Sequence, residues 1–325
     1  TYCTPMRIGV QYVGHSQRMR TVLLRVCVFF FQSTALIALL PLVAKHMHGG
    51  GAGTFTMLLA TMGLGAVVGV AANPRLRRWM TLDEMVRNGT LLLSAAMVVV
   101  AFAPNPWVAA PAMAAAGLGW ISVSNPLMIA AQFSLPDWVR ARGMSIFQVV
   151  IMAGCALGAV VWGQIAGMAD VATSLSVAAA FGVVSVVLML RFKVDGTTVE
   201  DLTPSSLWTP PSSAAPIAMH EGPVTLTIEY TIDPAQAAAF RAVMRESRRS
   251  RLRQGAASWS LLRDAATPGR YLEVVVDDSW AAHLRRFDRV TVADESLRQR
   301  RLAFHVGAEP PVVTRCIAEP VGEVD

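Results

Sequence analysis

The sequence predicts an all-α membrane bundle of six transmembrane helices followed by an α+β ferredoxin-like domain. Three observations carry this. The chain is 54% hydrophobic and only 15% charged. Its apolar residues are gathered into runs of roughly 20, the length that spans ~30 Å of hydrocarbon at 1.5 Å per helical residue. After the sixth run the composition turns polar and the hydrophobic period changes toward two, the period of a half-buried strand.

In chain order, residues 1–21 read as a cytoplasmic connector. A transmembrane domain over 22–193 follows, with spans at 22–44, 53–73, 85–104, 107–130, 144–167 and 171–190. Lipid leaves no partner for an open backbone, so each span is expected to be a helix. Residues 194–222, with Pro204, Pro210, Pro211 and Pro216 among Ser and Thr, read as a linker. Residues 223–318 form the ferredoxin-like domain and 319–325 a short tail.

Charge placement orients the bundle. Arg7, Arg18, Arg20 and Arg25 precede or open the first span; Arg75, Arg77 and Arg78 fill the 2–3 loop; Arg140 and Arg142 fill the 4–5 loop; Arg191 and Lys193 follow the last span. The alternate loops carry Lys45, no cation, and Asp170 alone. By the positive-inside rule both termini face the cytoplasm of an inner, plasma-type membrane. The basic pI of about 9.6 therefore reports topology and not nucleic acid. Cys3, Cys27, Cys155 and Cys316 are scattered without metal-ligand or disulfide spacing, so no metal and no cofactor is expected.

Three stretches carry a family resemblance: Gly9-Val10-Gln11-Tyr12-Val13-Gly14-His15-Ser16 with Arg20 to Arg25; Gly69-Val70-Ala71-Ala72-Asn73-Pro74-Arg75-Leu76-Arg77-Arg78; and Leu135-Pro136-Asp137-Trp138-Val139-Arg140-Ala141-Arg142-Gly143. With the tail they resemble the C-terminal half of a major facilitator superfamily transporter, in the transmembrane secretion effector branch that includes enterobactin exporters. The resemblance covers about residues 7–318. It implies twelve spans in two six-helix halves, a substrate cavity between them, and alternating access by rocking of one half against the other. The six spans here would be the second half, and a missing N-terminal six-helix half is the expected partner; the chain begins with Thr1, as a piece of something longer would.

The resemblance makes Arg75, Arg77, Arg78, Arg140 and Arg142 cytoplasmic gate candidates, pairing with carboxylates or helix ends in one state and releasing them in another. Asn73 stands where the superfamily pattern has an acid. The same arginines could equally serve as topology anchors. Gly154 and Gly158 form a small-residue face suited to close helix packing, or to a hinge. No Asp, Glu or His lies at mid-depth in any span, so a proton-coupling site would have to be in the other half. Arg25 reads as snorkelling at the cytoplasmic mouth, and Asp83 and Glu84 as a solvated helix start. Neutral polar groups remain. Gln32, Asn125 and Gln148 are the substrate-cavity candidates on spans that border the cavity in the superfamily, with interhelical hydrogen bonding as the competing role. Trp107 and Trp162 read as interfacial anchors.

In the tail, Val224, Leu226, Ile228, Tyr230 and Ile232 alternate with polar residues as a strand. Asp233-Pro234 starts a helix with Phe240, Val243 and Met244 inward. Strands near 257–264 and 270–277, a helix opened by Ser279, and a strand near 312–318 complete a β-α-β-β-α-β order. The sequence resembles the tail of the same transporter branch, and the fold that of small antibiotic-biosynthesis monooxygenases, which pair through their sheets; dimerisation through this domain is a partner expectation. His283 is the one catalytic temptation, and as a lone His it reads better as structural. Arg245, Arg248, Arg249, Arg251 and Arg253 read as a solvated face or a contact for anionic headgroups, and nucleic acid is not expected.

The functional expectation is efflux of a small hydrophobic or amphipathic metabolite, siderophore or drug across the lipid bilayer, with no catalytic residue. A membrane-tethered monooxygenase-like enzyme and a ligand sensor are the alternatives.

Overall fold

The computed structural model describes residues 3–47, 51–190 and 216–319. Most of the expected linker, 194–215, and all but the first residue of the expected tail lie outside the described residues, as do His48, Arg191 and Lys193. The chain divides into two compact units. One contains 18–134 and 144–198; the other gathers 1–17, 135–143 and 199–325.

The first unit is helical. Its elements are α2 (Gln17–His46), α3 (Ala52–Leu76), α4 (Leu82–Ala101), α5 (Pro106–Phe133), α6 (Asp137–Met168, of which the part after Gly143 belongs here) and α7 (Val171–Met189). All six are long and apolar enough to cross a membrane. Their starts are chemically marked. Thr81 and Glu84 form a reciprocal capping box on α4, Asn105 accepts from the Val108 amide with Pro106 at the first helical position of α5, and Asp170 caps α7. Buried faces of α2, α4 and α5 hold the bundle together, whereas α3 and α6 leave Leu64, Val67, Val149, Leu157 and Val160 open. Gly154 and Gly158 do pack: a Cβ on Gly158 would lie 2.4 Å from the Phe31 carbonyl oxygen and one on Gly154 2.9 Å from that of Cys27, so α6 rides directly on the α2 backbone.

Trp162, which the sequence suggests as an interfacial anchor, is turned into the bundle. It is buried, donates its Nε1–H to the Phe31 carbonyl at 2.7 Å, and packs on Phe31 and Phe181 between α2 and α7. A ring whose polar atom finds a backbone acceptor inside the bundle has no need of the headgroup region. Trp107 is exposed at the start of α5.

The second unit is built on a four-stranded antiparallel sheet in the order β2-β3-β1-β4, from β1 (Val224–Thr231), β2 (Ser258–Arg263), β3 (Arg270–Asp277) and β4 (Val313–Ile317). Asp233-Pro234 opens a short 3-10 turn that runs into α8 (Ala237–Arg253); Ser279 caps α9 (Trp280–Phe287). A further helix, α10 (Val292–Leu302), was not expected from the hydrophobic period. Its mean composition is strongly polar, and what marks it is the Thr291–Asp294 capping box. The core lies between the inward face of β1 and β3 and α8, where Phe240 stacks near Tyr230 and Tyr271 at ring distances of 5.5 and 5.4 Å.

The connector over 1–21 is largely helical, with α1 (Cys3–His15) in this second unit. It lies along α8: Gln11 donates to the Ala256 carbonyl at 2.7 Å and Arg7 pairs with Asp278. Residues 135–143, which include the first turns of α6, belong to the same unit, where Trp138 meets Tyr12 edge-on at 5.7 Å.

Candidate functional site

Within the helical unit the sequence candidates separate by exposure. Gln32 is fully buried on α2 and donates its amide to Ser94 Oγ of α4 at 2.7 Å, so an interhelical bond is present there. Asn125 is half-buried on α5, and Gln148 is exposed on α6 beside the open Val149. Arg75, Arg77 and Arg78 are exposed at the end of α3, with Arg75 reaching only its own helix at Ala71. Asn73 beside them is buried.

The pair Arg25 and Asp83 was not legible as a pair. Arg25 does not snorkel: it is buried, its Nη1 meets Asp83 Oδ1 at 2.5 Å, and its Nη2 donates to the Met189 carbonyl at 3.2 Å. Three helices are thereby joined, α2, α4 and α7. Burial of a guanidinium demands a charged partner and acceptors for its N–H donors; Asp83 supplies the charge and the Met189 carbonyl a further acceptor. The available signal was opposite charge at matching depth on the first and third spans. This ion pair lines a cavity of about 460 Å³ between the three helices, with Glu84, Arg87, Thr90 and Ser185 as its other polar walls and Phe29 and Met189 among its apolar ones.

The gate candidates Arg140 and Arg142 lie in the second unit and so are not grouped with the α3 arginines. Both are exposed; Arg140 pairs with Asp137 one turn back, and Arg142 packs along α1 at Gly9.

The second unit also holds a buried ion network that sequence reading missed. The inward face of β3 reads Tyr271, Glu273, Val275, Asp277, so two acids point into the core. Glu273 accepts from Tyr230 at 3.1 Å, Trp259 at 2.9 Å, Ser247 at 3.0 Å and Arg251 at 3.3 Å, and Arg301 sits 3.0 Å away. Burial alone would raise its pKa, but the Arg251 and Arg301 guanidiniums and these donors outweigh that and hold it at about 2. Asp277 meets His283 Nδ1 at 2.7 Å and Arg286 Nη2 at 3.0 Å. His283 is fully buried between Trp280 and Phe287, a structural position.

The basic run on α8 is accordingly not one solvated face. Arg245, Arg248 and Arg249 are exposed, but Arg251 is buried on Glu273 and Arg253 lies within 4.0 Å of Asp294. The phase of Glu273 and Asp277 with Tyr271 and Val275 was the signal that could have revealed their burial. Among the described residues no cluster of His, Cys, Asp and Glu is arranged to hold a metal.

A family model described as transmembrane secretion effector matches residues 1–321. Comparison with curated proteins returns no match. Among solved structures the chain is similar to the Escherichia coli fucose:proton symporter, at 17% identity and a TM-score of 0.48, over 57% of this chain and 45% of that one. The chain thus spans about half the length of that symporter.

Proposed function

The chain belongs to the transmembrane secretion effector family of major facilitator transporters, which are not enzymes, and on that premise we propose that it is the C-terminal half of an efflux transporter for a small hydrophobic or amphipathic metabolite, siderophore or drug. The observation that carries the reading is the match of this family over a unit of six membrane-length helices. A complementary six-helix half would cover the open faces of α3 and α6, whose exposed Val, Leu and small residues suit close helix contact or lipid equally. The arrangement would lie in the inner membrane with both ends of this chain cytoplasmic, on the strength of the alternating arginine-rich loops.

Asn125 and Gln148, which stay open on the unit, are the groups we assign to the substrate cavity; Gln32 contributes from behind them by holding α2 to α4 through Ser94. The exposed Arg75, Arg77 and Arg78 at the end of α3 remain cytoplasmic gate candidates, and so, separately, do Arg140 and Arg142. The strand order β2-β3-β1-β4 with α8 and α9 as the two crossing helices supports a ferredoxin-like tail domain, and such sheets offer a surface for pairing two copies.

Everted vesicles from cells overproducing the full gene product test this. Energised vesicles should accumulate an amphipathic probe, ethidium or a catecholate, above control vesicles. Asn125→Ala and Gln148→Ala should each slow the rate about threefold, the loss of one hydrogen bond worth ~0.6 kcal/mol. Accumulation no greater than in controls for either probe, with the protein present in the membrane, would overturn the efflux reading.

A further inference from the structure

The second unit contains a cavity of about 240 Å³ that the transport reading does not use. Its floor is the sheet, at Leu226, Ile228 and Tyr230; its walls include Phe287 and Val290 from the α9 segment and Leu302 from α10. Arginines line it at three levels: Arg251, Arg286 and Arg301 are buried, while Arg298 and Arg315 stand toward the rim.

The buried charges do not balance. Three guanidiniums, Arg251, Arg286 and Arg301, face two carboxylates, Glu273 and Asp277. Glu273 is saturated by Arg251, Arg301 and its neutral donors, which leaves Asp277 to share Arg286 with His283. Arg286 is only 3% exposed, yet its Nε and Nη1 have no hydrogen-bond partner, and neither has Arg301 Nε. Among the described residues the buried acceptors left over nearby are Asp277 Oδ1 and the amide oxygen of Gln254, and neither makes a hydrogen bond to these guanidinium atoms. Burial, and then the Arg251 charge, push Arg286 down to about 10, the response of a cation with too little negative charge around it. Unmet donors on a buried guanidinium cost free energy unless an acceptor arrives, and a carboxylate is the acceptor whose geometry matches the fork.

We propose that this cavity is a binding site for a small amphipathic monoanion, an aryl or short acyl carboxylate, whose carboxylate meets Arg286 with Arg298 and Arg315 at the rim, and whose apolar body lies on Leu226, Ile228, Phe287 and Val290. The volume falls below the ~300–1,000 Å³ of sites for drug-sized molecules, so the ligand carries one ring system or one short chain. The carboxylate could arrive on a free metabolite or on a fatty acyl lipid; the site is assigned to the free compound, since a long acyl chain exceeds the cavity. The site stands whether or not the helical unit exports the same compound.

The full chain in zwitterionic lipid nanodiscs, with empty discs as reference, decides the matter by equilibrium dialysis of 2-naphthoate and its neutral amide, 2-naphthamide. Naphthoate should bind saturably with one equivalent per chain, and the amide at least tenfold more weakly. Arg286→Gln should weaken naphthoate at least tenfold. Arg315→Gln, at an exposed strand position that carries no fold risk, should weaken it about threefold. Equal binding of acid and amide, or naphthoate uptake no greater than in empty discs, would overturn the proposal irrespective of how either variant folds. Displacement of naphthoate when oleate is added to the discs at matched charge would overturn the assignment to a free compound.

Discussion

The guanidinium of Arg289 lies 4.4 Å from the ring centroid of Trp138, so a residue just after α9 covers an aromatic side chain in the first turn of α6. Tyr12 meets the same ring edge-on. Three segments distant in sequence, α1, the start of α6 and the tail domain, meet at one indole. A stacked cation of this kind is worth ~0.5–2 kcal/mol, depending on how dry it is. Arg289→Ala should therefore raise amide hydrogen exchange across 135–143 by about fivefold, the equivalent of ~1 kcal/mol. Arg289→Lys should recover only part of this, because an ammonium does not stack as a planar guanidinium does. Unchanged exchange in both variants would show that Tyr12 and α1 hold this segment unaided.

Glu273 makes the tail domain acid-sensitive in a definite direction. Its pKa is held at about 2 in the folded chain against an ordinary 4.5. A depressed carboxylate stabilises the fold fully above its unfolded pKa, and that contribution disappears as pH falls through the window from about 4.5 to about 2. The total is of the order of 3 kcal/mol. The protection of β1 and β3 amides, taken relative to their unstructured exchange rate at each pH, should fall as pH drops through that window in the native chain. Glu273→Gln should abolish the pH dependence there while lowering stability at neutral pH, since Arg251 and Arg301 are left buried without their counter-charge.

Arg25 and Asp83 should behave as a coupled pair. Asp83→Asn strands a buried guanidinium, a change that costs about 3–5 kcal/mol in fully buried pairs and somewhat less here because Asp83 is 19% exposed. The double variant Arg25→Met/Asp83→Leu should melt above either single variant in detergent, because an apolar replacement removes the desolvation cost along with the attraction. Additive losses in the double variant would show that the two residues do not act together.

The crossing of α3 and α5 should be intolerant of any side chain. A Cβ on Gly65 would lie 1.8 Å from the Ala114 carbonyl oxygen, and one on Gly117 1.9 Å from that of Met62. The obstacle in both cases is backbone, which cannot swing aside as a side chain can. Gly65→Ala or Gly117→Ala should lower the melting temperature and the yield of folded protein in detergent, with a cost of at least the ~1–3 kcal/mol typical of overpacking. Gly63→Ala, two residues from Gly65 and open around its Cβ, is the control that should change little.

The six membrane helices were legible because hydrocarbon imposes a length and a composition that no other solvent does; their starts at Thr81, Asn105 and Asp170 emerged only with the cap geometry. The strands and α8 were legible from a clean period of two and an Asp-Pro start. α10 was not, since a polar helix docked by Leu297 and Arg301 offers no apolar stripe to read. Of the candidate site residues, Gln32, Asn125 and Gln148 were identifiable only as polar groups in apolar runs. Which of them is buried depends on the neighbour each helix presents: Ser94 for Gln32, open surface for Gln148.

What the sequence determined by itself is the class of molecule: six spans, the sign of each loop, and a separate mixed domain, all properties of local composition and period. Only the tertiary structure decided which charges are paired. Arg25 with Asp83, Glu273 with Arg251 and Arg301, and Arg289 with Trp138 join residues from 22 to 151 positions apart. No local pattern encodes such partners. Their ionisation and their burial follow from the low-dielectric packing that brings them together, and that packing exists only once the whole unit has folded.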